Sequence, residues 1–444
     1  MLKAEKRWLT ISLVNLAIVA LLGLLLRSKI LFPLPGINFG FLLHAHSHFA
    51  FTGWVTLCLL TLITYKIVPA GYNSRPVYQW LLGGMLVSAV GMLLSFPFEG
   101  YAAVSIVFST LSILVSYAFA WVLVKHVLSA GVSRPVMILL FSALAALVLS
   151  SAGPFTLAYI MASHKAAPVL YRNAIYTYLH LQYNGFFTLG ILALFVHDFS
   201  SAFNGLAGKH LNRFAIALSV SVLPTLCLSY LWHSPNMAIR IIAIAGCACL
   251  AAALTWFIAM LWHAKTAFGN VHPFAKKLGA LALISFVLKT AMQVIIVIPA
   301  AGNMVFANRP VIIGYLHLIM LGFITLYLLG CLMQQGYFTA EQPAAKAGII
   351  IFTWAIVANE VVLMGQGFSY LLWFSSIVYP WLLWIAAIGL FTGAVVIAAA
   401  ALRRGSEVLL FKNPGGYKQR DYRPAQHANN RVYTAGNRSQ ELFE

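Results

Sequence analysis

The sequence predicts an all-α, polytopic membrane protein with twelve transmembrane helices in three repeated four-helix units. Three observations predict it. Hydrophobic residues fill 61% of the 444 positions and charged residues only 8%, more apolar surface than a soluble domain can hide. The apolar positions cluster into twelve runs, each near the roughly 20 residues that a bilayer requires. One short histidine-centred motif then recurs three times, every fourth run.

In order, the first run is 8–26. Lys3, Lys6 and Arg7 precede it, as they would a secretory signal, but no small-residue cleavage site follows, so an uncleaved helix is expected. The second, 39–65, contains HAHSH at 44–48. The third is 78–97, with Glu99 just beyond it, and 102–127 and 135–160 follow. The sixth, 173–196, carries His180 among Tyr176, Tyr178 and Tyr183. After 212–232 and 239–262, the ninth run, 277–300, encloses Lys289. The tenth, 310–334, carries His317, the eleventh, 346–366, encloses Glu360, and 376–401 is the last. Most runs are apolar all round, which hides helical periodicity. The transmembrane domain is therefore expected over 1–402, with repeats at about 1–130, 131–265 and 266–402. Residues 403–444 are polar and rich in Asn and Gly, as expected of a loosely ordered tail.

The charge pattern sets the topology. Lys and Arg total 28 against nine Asp and Glu; in a membrane protein this excess reports orientation rather than nucleic-acid binding. The N-terminus and the even-numbered loops hold thirteen basic residues and the tail eight. The odd-numbered loops hold six: Arg27, Lys29, Lys165, Arg172, Arg240 and Arg309. Both termini are thus expected in the cytoplasm, in a bacterial inner membrane. The five cysteines lie in apolar runs without zinc or disulfide spacing.

The repeat reads HFAFTGWVTL at 48–57, HLQYNGFFTL at 180–189 and HLIMLGFITL at 317–326. Each is His, four residues, Gly, an aromatic, any residue, Thr, Leu, and the histidines stand 132 and 137 residues apart. They fall on helices 2, 6 and 10, which run from outside to inside, and lie in the outer third of the bilayer. The glycine can admit a neighbouring helix or a flat ring. Within HAHSH, His44 and His48 are about 400° apart at 100° per residue and share a face, while His46 looks about 200° away. The motif therefore offers two faces rather than one triple-histidine clamp. Ionisable groups in the membrane are expensive and point to function. The expectation is that His48, or His44, reaches toward His317, and that His46 looks toward helix 6 and His180. Imidazole suits transition metals and haem iron. Lys289 and Glu360, at similar depth, are expected to form a structural ion pair or to carry a proton or counter-charge. Glu99 is either interfacial or part of a proton-exit or propionate network.

Three four-helix units with histidines on helices 2, 6 and 10 near the outer side resemble the catalytic subunit of the haem–copper oxidase and nitric oxide reductase superfamily. The likeness covers the twelve helices in architecture and the three repeats in motif. It implies a b-type haem with axial ligands from helices 2 and 10, which by position are His48, with His44 as the alternative, and His317. It also implies a second metal, copper or iron, at His180, which His46 could join. Outer-side arginines, Arg172, Arg240 and Arg309, would meet the propionates. The resemblance further implies a quinol or cytochrome c as electron donor, partner subunits, and oxidoreductase activity. The chain departs from the family in two places. Tyr315 stands where a second helix-10 histidine would bind a high-spin haem, and helix 7 lacks the adjacent histidines, having only His233 at its outer end. Two alternatives stay open: a haem- or copper-handling protein without turnover, linked to nitric oxide response, and a transporter built on the same bundle around Lys289 and Glu360.

Overall fold

The computed structural model describes residues 1–410 apart from positions 130, 165, 234–235, 339–341, 373 and 375. Met1–Gly405 form one compact unit; the tail expected at 403–444 lies largely outside the described residues. No strand occurs among the described residues. Twelve helices are long and apolar enough to cross a membrane: α1 Lys3–Leu31, α2 Phe39–Lys66, α3 Pro76–Glu99, α4 Ala103–Leu128, α5 Arg134–Ser163, α6 Pro168–Asp198, α7 Gly205–His233, α8 Met237–Ala264, α9 Pro273–Ile295, α10 Arg309–Gln334, α11 Pro343–Tyr370 and α12 Val378–Arg403. They correspond one to one with the twelve runs. The helices outlast the runs because their polar ends still favour helix at the interface. Local signals mark the starts. Pro76, Pro168, Pro273 and Pro343 occupy first-turn positions, where a missing N–H costs nothing. The Asn38, Asn236 and Asn308 side chains accept from Phe41, Ile239 and Val311 N–H groups to cap α2, α8 and α10.

The three motif-bearing helices form the centre. The apolar spans of α2, α6 and α10 are 78%, 94% and 78% buried, against 22–56% for the other nine. Each of the three also breaks its α-helical winding at the same point. Directly after the histidines come π-helical segments, Ala50–Thr56, Leu181–Phe187 and Leu318–Thr325. A π turn widens the helix and frees carbonyls from their usual partners. The motif threonine answers this: Thr188 Oγ1 donates to Tyr183 O at 2.6 Å, and Thr325 Oγ1 to Met320 O at 2.7 Å, each five residues back. In α2 the Gly53 carbonyl instead accepts from Asn15 Nδ2 of α1 at 2.7 Å.

The motif glycines of α6 and α10 let their π segments meet the first helix of their own unit, while a Cβ on Gly53 would meet the Phe49 ring of α2 itself. A Cβ on Gly185 would lie 2.4 Å from Ala146 Cβ of α5, and one on Gly322 would lie 2.9 Å from Ser285 Oγ of α9. Small residues give this close approach, which is how helices associate where no solvent drives them together. The C-terminal ends of the three helices repeat the symmetry. Eighteen residues after the three histidines stand Lys66, Asp198 and Gln335. Lys66 and Asp198 form an ion pair. Gln335 Nε2 donates to Cys331 Sγ at 2.9 Å, and that thiol is 3.5 Å from Lys66 Nζ.

Candidate functional site

The repeat histidines of α2 and α6 each face the third helix of their own unit. His48 turns toward α3, the third helix of its unit, where its ring stacks on Phe96 with centroids 4.6 Å apart. Its Nε2 is 2.7 Å from the hydroxyl of Tyr101 in the α3–α4 loop. His180 turns toward α7, the third helix of the second unit, with Nε2 2.9 Å from Val222 O. His317 keeps its Nδ1 2.8 Å from Ile313 O, one turn back in its own helix, and interacts electrostatically with His46 and Arg27. The expected approach of His48 to His317 is not seen among the described residues; His48 engages Phe96 and Tyr101 instead.

The position two residues before each repeat histidine completes the next cleft. On α6 this is Tyr178, which stacks near Phe51 of α2 at 6.2 Å and interacts with Tyr101. On α10 it is Tyr315, which lies beside Asn184 and 6.1 Å from the Tyr183 ring. On α2 it is His46, which lies within electrostatic reach of His317. His46 was expected to face His180; it faces α1 and α10 instead. Of the three repeat-related pairs, His48 with Tyr178, His180 with Tyr315 and His317 with His46, the last is the one made of two histidines.

Both rings of that pair are oriented. A ring nitrogen directed at a carbonyl oxygen must carry the proton. His46 Nδ1 is 3.1 Å from Val19 O of α1, so it donates there, and His317 Nδ1 donates to Ile313 O. Each imidazole is left with its Nε2 lone pair, and among the described residues no hydrogen bond engages either. Helix α1 makes room at Gly23, where a Cβ would lie 3.2 Å from His46 Cε1. Both rings are half-buried rather than sealed. Arg27 of α1 acts electrostatically on both, and no acid pairs with it among the described residues. Two tautomer-locked imidazoles, a free guanidinium and accessible ring surface fit a bis-imidazole haem with an anionic edge. An Nδ1–H bond to a backbone carbonyl is the usual outer-layer support of a metal-binding histidine. Arg27 is the residue that charge counting assigned only to topology. Of the arginines expected at propionates, Arg172 lies over the Trp232 ring at 4.1 Å and bonds Tyr176, and neither Arg240 nor Arg309 acts on the two histidines.

The cleft containing His180 does not fit a metal. Val222 O takes its Nε2 proton, and Asn184 Nδ2, at 3.3 Å, faces the remaining Nδ1 lone pair. Asn184 Oδ1 accepts from Lys289 Nζ at 2.9 Å, so a buried amine stands one residue from the imidazole. No group of three His, Cys, Asp or Glu able to hold a metal occurs among the described residues. Lys289 and Glu360 do not form the expected ion pair. Lys289 uses Asn184, while Glu360 Oε1 accepts from Asn359 Nδ2 at 3.0 Å. Glu360 Oε2 is buried without a partner among the described residues. Glu99 Oε1 accepts from the Ser105 N–H at 2.7 Å, a capping role at the start of α4. His44 shares a face with His48, as helical angles required, with its ring 4.6 Å from that of Tyr101. Comparison of the chain with protein-family models and with curated proteins returns no match.

Proposed function

We propose that this multi-pass membrane protein holds a b-type haem between His46 and His317 and serves electron transfer. The observation that carries the reading is the matched pair of imidazoles, each proton-locked at Nδ1 by a carbonyl and each with Nε2 free. When bound, the haem supplies a one-electron couple set by its axial ligands and surroundings. The chain's own residues do the rest. Val19 O and Ile313 O hold the ring planes, Gly23 leaves space on α1, and Arg27 meets a propionate. The Lys and Arg distribution supports an inner-membrane location with both termini cytoplasmic. Electrons would come from a quinol or a cytochrome c. Reduction of oxygen or nitric oxide at a second metal is not part of the proposal, because His180 has spent both nitrogens on hydrogen bonds.

The test is an optical spectrum of protein purified after haem-replete expression, oxidised and then reduced with dithionite. A Soret band and the sharp visible bands of six-coordinate b-type haem are expected. His46→Ala and His317→Ala should each abolish the six-coordinate spectrum, whereas His48→Ala and His180→Ala should retain it. A wild-type protein without haem, or a spectrum that depends on His48 and not on His46, overturns the proposal.

A further inference from the structure

The other face of HAHSH carries its own constellation, separate from the His46–His317 cleft. His44 and His48 are four residues apart on α2, one turn above each other, and interact electrostatically. Tyr101 closes over both, its ring 4.6 Å from that of His44 and 5.8 Å from that of His48. Its hydroxyl is 2.7 Å from His48 Nε2. His44 makes no side-chain hydrogen bond among the described residues, and no carboxylate bonds to either ring. All three side chains keep solvent-accessible surface.

The local fold builds this arrangement. Phe96 backs the His48 ring in parallel, at 22°. Gly100 adopts φ +62°, a conformation that side chains resist, and turns the chain sharply after α3. Glu99 caps the start of α4, fixing the two ends of the short loop that presents Tyr101. His44 lies five residues into α2, about 7.5 Å from its N-terminal end at helical rise, at the end of the bundle where the α3–α4 loop carries Tyr101.

We propose that His44, His48 and Tyr101 bind a divalent transition-metal ion, with copper(II) preferred. Two histidines at i and i+4 on one helix face are a two-point chelate for such ions. Imidazole with an oxygen donor suits copper(II), which leads the divalent series in affinity. The geometry is close to what is needed. With metal–ligand bonds of about 2.05 Å, neighbouring donors at right angles stand about 2.9 Å apart, against 2.7 Å between His48 Nε2 and the Tyr101 oxygen. The ion takes that oxygen by displacing the phenolic proton to solvent, and water completes the coordination. The absence of a carboxylate leaves the site selective for metals that accept nitrogen, rather than for calcium or magnesium.

The experiment uses the full chain in detergent, stripped with a chelator and titrated with copper(II) under a competing ligand, read by electron paramagnetic resonance and visible absorption. One tightly bound ion per chain is expected, with hyperfine structure from two nitrogens and a phenolate-to-copper charge-transfer band. His44→Ala removes no hydrogen bond, so the fold is kept; it should reduce the nitrogen pattern to one and weaken binding more than about tenfold, having lost one of two imidazoles. Tyr101→Phe should keep both nitrogens and lose the visible band. His46→Ala should leave the copper(II) stoichiometry and the two-nitrogen hyperfine pattern unchanged whatever it does to haem, so failure here and failure of the haem proposal, on which this site does not depend, are distinguishable. Absence of stoichiometric copper(II) binding, or binding unchanged in the His44→Ala/His48→Ala double variant, overturns the inference.

Discussion

Asn184→Ala should be among the most damaging single substitutions in the membrane core. The residue is 6% exposed and accepts from Lys289 Nζ at 2.9 Å while facing His180 Nδ1 at 3.3 Å. Lys289 is 1% exposed, and no other hydrogen bond from its amine is formed among the described residues. Removing Asn184 therefore strands a buried amine and one imidazole lone pair together. A hydrogen bond from a charged donor contributes about 1.5–3 kcal/mol, a helix–helix hydrogen bond in a membrane averages about 0.6 kcal/mol, and a stranded buried charge raises the total to roughly 3–5 kcal/mol. The assay is equilibrium unfolding in mixed micelles, followed by far-ultraviolet circular dichroism, in a double-mutant cycle with Lys289→Met. Lys289→Met removes the charge and keeps the volume, so it should cost about 1 kcal/mol or less. In the double variant most of the Asn184→Ala penalty should vanish, giving a coupling of about 2–3 kcal/mol. Near-additive effects, or a Lys289→Met penalty as large as that of Asn184→Ala, would refute the argument that the amine depends on this amide.

Three other outcomes follow from the same geometry. Arg27→Gln should keep the bis-histidine spectrum but lower the haem midpoint potential, because the guanidinium favours the reduced, less positive iron; spectroelectrochemistry measures it. Gly23→Leu should drive the His46 ring away, since even a Cβ there would sit 3.2 Å from Cε1, and lose haem at unchanged helix content. Gly279→Leu, at a position where a Cβ would meet nothing within 4 Å, should keep haem in the same optical assay. Gly185→Ala should destabilise the bundle by about 1–3 kcal/mol through overpacking, because its Cβ would meet Ala146 Cβ at 2.4 Å. Adding Ala146→Gly should recover most of that loss in thermal unfolding.

The helix count and the equivalence of α2, α6 and α10 were legible because each rests on a one-dimensional signal. Apolar length marks a span, and a motif recurring every fourth helix marks the helices that share one environment. What was not legible is rotation. Spans that are apolar all round have no wet face to fix their setting about the axis, so the relative angle of His46 and His48 was calculable while the absolute direction of either was not. The π segments add to this. Each inserts residues at a winding other than α, so the face below Gly53 cannot be projected from His48 at 100° per residue. The missing direction was nevertheless present in the repeat, two residues upstream of where the motif was aligned. His46, Tyr178 and Tyr315 are equivalents, and each meets the surroundings of a repeat histidine on another helix: His46 that of His317, Tyr178 that of His48 through Tyr101, and Tyr315 that of His180 through Tyr183 and Asn184. His46 is the one histidine of that set. Threefold symmetry, rather than histidine count, selects the pair.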